Sequence, residues 1–246
     1  MRRNKPDRKQ LLDGALSLLV LAGTISLAWL GLTSKKYVPA EAAPAMKYSD
    51  IPADAVVIVI DAGHGGFDGG ATGTESGVSE DGINLKVAEL LSDELTKSGY
   101  YVIMTRSDGN ALGETKNDDM RARKNIMQLE CVDLVVSIHM NKFGDRSVSG
   151  PMVFYMKGSE EGRTLAGSVI KSLCEAVDRP PRSANPEDLF VLRVPSAPSI
   201  IVECGFLSNK RDEELLLTDE YRQKLANGIA DGINDYFALK QSGDNE

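Results

Sequence analysis

Short runs of branched apolar residues recur along this chain, and two are almost unbroken: Val56-Val57-Ile58-Val59-Ile60 and Leu134-Val135-Val136-Ser137-Ile138. A strand that is apolar on both sides has to be covered on both sides, which points away from a half-solvated antiparallel meander and toward a parallel sheet between helices. The strand candidates are Val56 to Ile60, Tyr101 to Thr105, Val132 to Ile138, Met152 to Tyr155 and Ser199 to Val202. Between the first two, Ile83, Val87, Leu90, Leu91 and Leu95 recur at helical spacing up to Gly99, a left-handed helix stop. Met120 to Leu129, Glu161 to Val177 and Glu220 to Leu239 are the other helix candidates. The alternation predicts an α/β fold with a mainly parallel, twisted sheet of about six strands and helices on both faces.

The amino terminus has a different character. Arg2, Arg3, Lys5, Arg8 and Lys9 precede a stretch from Ala15 to Leu32 that is apolar apart from Ser, Thr and Gly, and Lys35 and Lys36 follow it. Roughly eighteen apolar residues are just enough to span a hydrocarbon core, and the basic end favours the cytoplasm. The small-residue triplets Ala40-Glu41-Ala42 and Ala43-Pro44-Ala45 lie far past the apolar run for a signal-peptidase site, so an uncleaved anchor is favoured over a cleaved signal. The expected organisation is a cytoplasmic tip and membrane anchor over residues 1–36, a linker over 37–52, one folded domain over 53–240 and a polar tail over 241–246. Everything after Lys36 is expected outside the cytoplasm.

Residues 1–36 hold seven basic and two acidic residues, which leaves 21 basic and 34 acidic residues, about −13, to the remainder. Such a domain has no electrostatic footprint for nucleic acid. Nor would it bind an anionic envelope polymer by charge alone, so specific groove contacts would have to hold any such substrate. Cys131, Cys174 and Cys204 are three, without Cys-x-x-Cys spacing, and are expected to be core thiols and not a disulfide scaffold.

The only two histidines, His64 and His139, each stand just past one of the apolar runs. Open α/β sheets place their sites at the carboxyl ends of such strands. Two histidines and one carboxylate form a common catalytic zinc set, with a fourth position open to water. The carboxylates near His64 are Asp61, Asp68, Glu75, Glu80 and Asp81. Asp68 lies too close in sequence to His64 for easy convergence on one ion, and Asp61 closes the strand and is better suited to orienting His64. Glu80, just before a helix and on a loop of about fifteen residues, is the preferred third ligand. Hydrolysis also needs a carboxylate that is not a ligand, to move a proton. Glu203, directly after Ser199-Ile200-Ile201-Val202, fits that role. Asn141, two residues past His139, is a candidate substrate contact.

Blander readings compete. A single histidine at a strand end is more often structural than a ligand, but two of two beside a strand-end glutamate reverse those odds. Gly63, Gly65, Gly66, Gly69 and Gly70 could cradle a phosphate, but no Gly-Lys-Ser/Thr follows, and Asp68 falls where a dinucleotide fingerprint needs glycine. Arg106, Asp108, Arg121 and Arg123 are read as salt-bridging or helix-face residues.

From Val56 to about Phe237 the chain resembles the zinc-dependent N-acetylmuramoyl-L-alanine amidases, which cut between the glycan and the stem peptide of bacterial peptidoglycan. The segments that carry the likeness are VIVIDAGHGGFDGGATG, GVSEDGINL, VIMTR, MRARKNIM, LVVSIHMN, FVLRVPSAPSIIVECGFLSN and YRQKLANGIADGI. In that pattern His64, Glu80 and His139 match the zinc ligands, and Glu203 matches the catalytic glutamate. Members usually have Glu-Lys-Asp where this chain has Glu80-Asp81-Gly82, which puts the support of that ligand in question. Within the family the likeness is greatest to germination-specific amidases, which implies work on spore-cortex peptidoglycan between the spore membranes. The acidic charge of the domain, together with the altered Glu80-Asp81-Gly82 segment, leads to the expectation of an activating extracytoplasmic lipoprotein or other partner. The rivals are a zinc peptidase cutting within the stem peptide and an inactive wall-binding module.

Overall fold

A computed structural model describes residues 37–38 and 51–243. The expected anchor over Ala15 to Leu32 lies outside these residues. No helix among the described residues is long and apolar enough to cross a membrane.

The chain runs β1 (Tyr37–Val38), β2 (Val57–Ala62), α1 (Glu80–Lys97), β3 (Tyr101–Met104), α2 (Lys116–Met127), β4 (Leu134–Asn141), β5 (Met152–Met156), α3 (Glu160–Ala176), β6 (Asn185–Glu187), α4 (Phe190–Arg193), β7 (Ser199–Phe206), α5 (Lys210–Leu216) and α6 (Asp219–Gly243). The strands form one sheet in the order β1-β3-β2-β4-β7-β5-β6. Every pairing is parallel except that of β5 with β7. This is the predicted α/β architecture, with two very short edge strands added to the five that the apolar runs announce. Tyr37–Val38, placed by the sequence in the linker, pairs with Val102 and Ile103 and covers the outer edge of β3.

Strand alternation divides the core. Ile58, Ile60, Ala62, Val136, Ile138, Ile200 and Val202 face a large cluster with α1, α3 and α6, whereas Val57, Val59, Ile103 and Val135 face a smaller one with Ile126 and Met127 of α2. Both sides of β2 and β4 are therefore dry, which is why these strands read as unbroken apolar runs. Cys174 and Cys204 are buried, Cys131 is half-buried, and all three are free.

The structure departs from the sequence reading at several ends. β4 runs on to Asn141 and β7 to Phe206, so His139, Asn141 and Glu203 lie within strands and not beyond them. The reason is that the β4–β7 ladder continues through the pair His139–Glu203. α6 continues to Gly243, past the helix end expected at Leu239 and into the expected polar tail. The short helices α4 and α5 went unseen because four and seven residues carry too little periodicity to register. α2, α3 and α5 begin with side-chain caps, Thr115 accepting from Asp118 N, Ser159 from Gly162 N and Asn209 from Asp212 N. α1 has no such cap. Its Ser79 hydroxyl donates instead to Gly69 O and ties the helix start to the loop after β2.

Candidate metal centre

Three of the predicted residues converge. Ligand-capable atoms of His64, Glu80 and His139 all lie within 4.8 Å of one another. Glu80 Oε1 stands 3.4 Å from His64 Nε2 and 3.0 Å from His139 Nδ1. The two rings meet edge to face with centroids 5.0 Å apart. Each residue comes from a different segment: His64 from the loop after β2, Glu80 from the first turn of α1, His139 from β4. Two glycines make the convergence sterically feasible. A Cβ on Gly63 would lie 2.2 Å from His139 Cε1, and one on Gly70, where φ is +68°, would lie 2.5 Å from Glu80 Oε2.

Glu80 is buried and well held. Its Oε2 accepts from Ala71 N, and its Oε1 from Met140 N and from the Asn84 amide, which also donates to Gly63 O. Burial alone would raise its pKa, but the hydrogen bond and charge of His139, the Ala71 N–H and His64 outweigh it and carry the carboxyl down to about 2. The missing Lys-Asp pair after Glu80 therefore does not leave this carboxylate without donors. Gly82 has open space around it.

His64 is held from two sides. Its Nδ1 lies 3.0 Å from Asp68 Oδ1, and Asp68 is itself reached by Lys116 and by Gly70 N. This leaves Nε2 facing Glu80. The sequence had assigned orientation of His64 to Asp61; strand alternation instead turns Asp61 to the α2 side, where Thr105, Ser137 and Arg123 donate to it. Its influence passes through the backbone. Arg123 donates to Ala62 O and His64 O, and the fully buried Arg106 donates to Ala62 O, Gly63 O, Asp81 O and Asp108 O. His64 has φ +61°, a left-handed conformation unusual for a residue with a Cβ, and the two guanidiniums fix the carbonyls of the loop that adopts it. Arg123 forms the ion pairs the sequence suggested, with Asp61 and Asp119. Arg106 instead spends its donors on backbone carbonyls.

Glu203 pairs with His139 across the β4–β7 ladder. Its Oε2 is shut off from solvent and has no hydrogen-bond partner among the described residues. Burial, with a smaller contribution from the negative Glu80 and against the pull of His139, pushes its pKa up to about 7. Asn141 is used locally: its side-chain oxygen accepts from Lys142 N, and the ladder register shifts between it and His139. The donor set suits zinc, whose ligands are imidazole nitrogens and carboxylate oxygens about 2 Å from the ion. Asp68, Asn84 and Arg106 escaped the sequence reading of this support, the last two because buried polar residues on a helix and after a strand carry no pattern of their own.

Residues 58–235 match the N-acetylmuramoyl-L-alanine amidase family, type 3. The YqiI protein of Bacillus subtilis is 34% identical over 76% of this chain and 87% of its own length. The germination-specific N-acetylmuramoyl-L-alanine amidase of the same organism is 31% identical over 77% of this chain and 83% of its own. Among solved structures, the CwlD amidase of Clostridioides difficile, determined in complex with the GerS lipoprotein, superposes with a TM-score of 0.72 at 33% identity, covering 75% of this chain and 99% of that one. The chain therefore belongs to the N-acetylmuramoyl-L-alanine amidases, the peptidoglycan-cleaving enzymes of amidase type 3.

Proposed function

We propose that this amidase uses one zinc ion held by His64, Glu80 and His139, with Glu203 as the proton carrier, to cleave the amide between N-acetylmuramic acid and L-alanine. The observation that carries the reading is the meeting of the two imidazoles and the buried carboxylate within 4.8 Å, beside a glutamate oxygen that has no partner among the described residues. When bound in such a set, zinc supplies Lewis acidity toward a carbonyl and toward water. The protein's own contribution is the rest. The hydrogen bonds on Glu80 and the Asp68 contact on His64 fix the donor atoms before substrate arrives. Glu203 Oε2 takes the proton of the attacking water and delivers it to the departing L-alanine nitrogen, and a pKa near 7 suits a group that must do both. Asn141 stands at the end of β4, where it can contact the substrate.

The 31% identity with a germination-specific amidase and the likeness to CwlD support a role in spore-cortex peptidoglycan, outside the cytoplasm. The basic end and apolar run of residues 1–36 support a membrane anchor. The GerS complex of the C. difficile enzyme supports an extracytoplasmic lipoprotein as the partner here as well. In this reading the partner recruits an acidic domain to an anionic polymer. Zinc analysis of the purified protein together with mass spectrometry of digested muropeptides tests the reading. Released peptides that begin with L-alanine support the amidase, whereas shortened stems still joined to muramic acid would mean a peptidase.

A further inference from the structure

Glu213 is a buried carboxylate on α5 whose recorded partners are backbone N–H groups and a hydroxyl rather than a cation. All of them belong to the loop that precedes Glu80. Glu213 Oε2 accepts from Glu75 N at 2.9 Å, and Oε1 accepts from Ser76 N at 2.7 Å and Ser76 Oγ at 2.6 Å. Gly73 passes so close that a Cβ there would lie 2.4 Å from Glu213 Oε1. The loop is also attached to β7's exit by Thr74, whose N–H and hydroxyl both donate to Leu207 O, and to the segment after β4 by Lys142, which donates to Thr72 O, and by Arg146, which pairs with the exposed Glu75 side chain. Its two ends are bridged at Thr72 and Ser79, and Ala71 N, just before it, donates to Glu80 Oε2. A continuous hydrogen-bonded path thus runs from α5 through this loop to the Glu80 carboxylate.

We propose that Glu213 is a positioning residue that sets the Thr72–Ser79 loop and, through it, the placement of Glu80 for metal binding. The inference rests on the reading of Glu80 as a ligand. A charged carboxylate that accepts three hydrogen bonds holds a loop more firmly than neutral acceptors do. An outer support of this kind characteristically changes metal affinity tenfold to about a hundredfold when it is removed.

The test compares the full chain with Glu213→Gln, Ser76→Ala and, as a control on the same helix, Glu214→Gln, whose side chain is exposed and lies beside Lys210. Three quantities are measured: amide exchange of residues 73–79 in metal-free protein, the zinc dissociation constant by competition with a chromophoric chelator, and Tm. Expected for Glu213→Gln are at least tenfold faster exchange in this loop and a zinc dissociation constant raised about tenfold, with a smaller change of the same kind in Ser76→Ala and none in Glu214→Gln. A lower Tm with unchanged zinc affinity and loop exchange would make Glu213 a fold residue only and overturn the proposal. If Glu213→Gln does not fold, Ser76→Ala carries the comparison, and unchanged exchange and affinity there overturn it equally. A parallel Glu80→Ala arm separates the two ideas. Full zinc affinity in that variant would remove the ligand reading, whereas lost affinity in Glu80→Ala with none lost in Glu213→Gln would remove only the role of Glu213.

Discussion

His139 and Glu203 face each other directly across the β4–β7 ladder, so an imidazole of the candidate metal set and the candidate proton carrier are fixed by a single parallel register. Side chains alternate strictly along a strand, and a slip of one residue in that register would turn one of the two away from the face that the other occupies. The spacing between them is therefore a property of the sheet and not of a loop.

Glu203→Gln should keep the fold and the zinc while losing about a hundredfold or more of hydrolysis, since it removes the proton carrier and leaves His64, Glu80 and His139 in place. Zinc content and release of L-alanine-terminated peptides are measured on the same preparation. Near-normal turnover would mean that another group moves the proton.

His64→Ala and His139→Ala should each lose zinc and activity together, and a chelator should do the same to the parent protein. Equilibrium dialysis followed by elemental analysis reads the metal. Stoichiometric zinc in the double variant is the outcome that ends this assignment.

Gly63→Ala should weaken zinc binding while leaving the sheet intact. The added methyl would come within 2.2 Å of His139 Cε1, so the ring must swing away from Glu80. Chelator competition and circular dichroism together check this; unchanged affinity would show that the ring has room to adjust.

Asp61→Asn should cost about 3 kcal/mol of stability at neutral pH, because it leaves the buried Arg123 guanidinium without its full counter-charge. Burial raises the Asp61 pKa, but Arg123 and Ser137 more than offset this and hold it below 3.8. A depressed folded pKa means that the contribution is complete above the unfolded value and is lost as pH falls through the folded one. Urea unfolding of the parent from pH 6 to pH 2 should show that loss below about pH 4, with a shallower slope in the variant. Equal slopes would remove Asp61 from the acid response.

Cell fractionation tests the anchor. The protein should sediment with membranes through Ala15 to Leu32. Soluble mature protein beginning near Glu41 or Pro44 would show cleavage instead.

Much of the fold was legible because dry strands have to be apolar on both faces, as Val57 to Ile60 are. The convergence of His64, Glu80 and His139 was legible because few residues of those types stand at strand and helix ends. What stayed hidden is support that depends on long separation. Ser76 and Glu213 are 137 residues apart, and neither lies in a pattern that names the other. Arg106, after a strand, reads as a salt-bridging residue because charged groups there usually pair with carboxylates; four backbone carbonyls from three segments turn it inward instead. Asp61 was close enough to His64 in sequence to suggest contact, but alternation along β2 sent it to the opposite face.

The sheet ends in strands of two and three residues, and the outer one, Asn185-Pro186-Glu187, carries a proline and a charge. A neighbouring copy trying to add a strand at either margin would find a ladder too short to hold it and, at one margin, a residue with no N–H to offer. Edge-to-edge growth of the sheet from one copy into the next is thereby disfavoured.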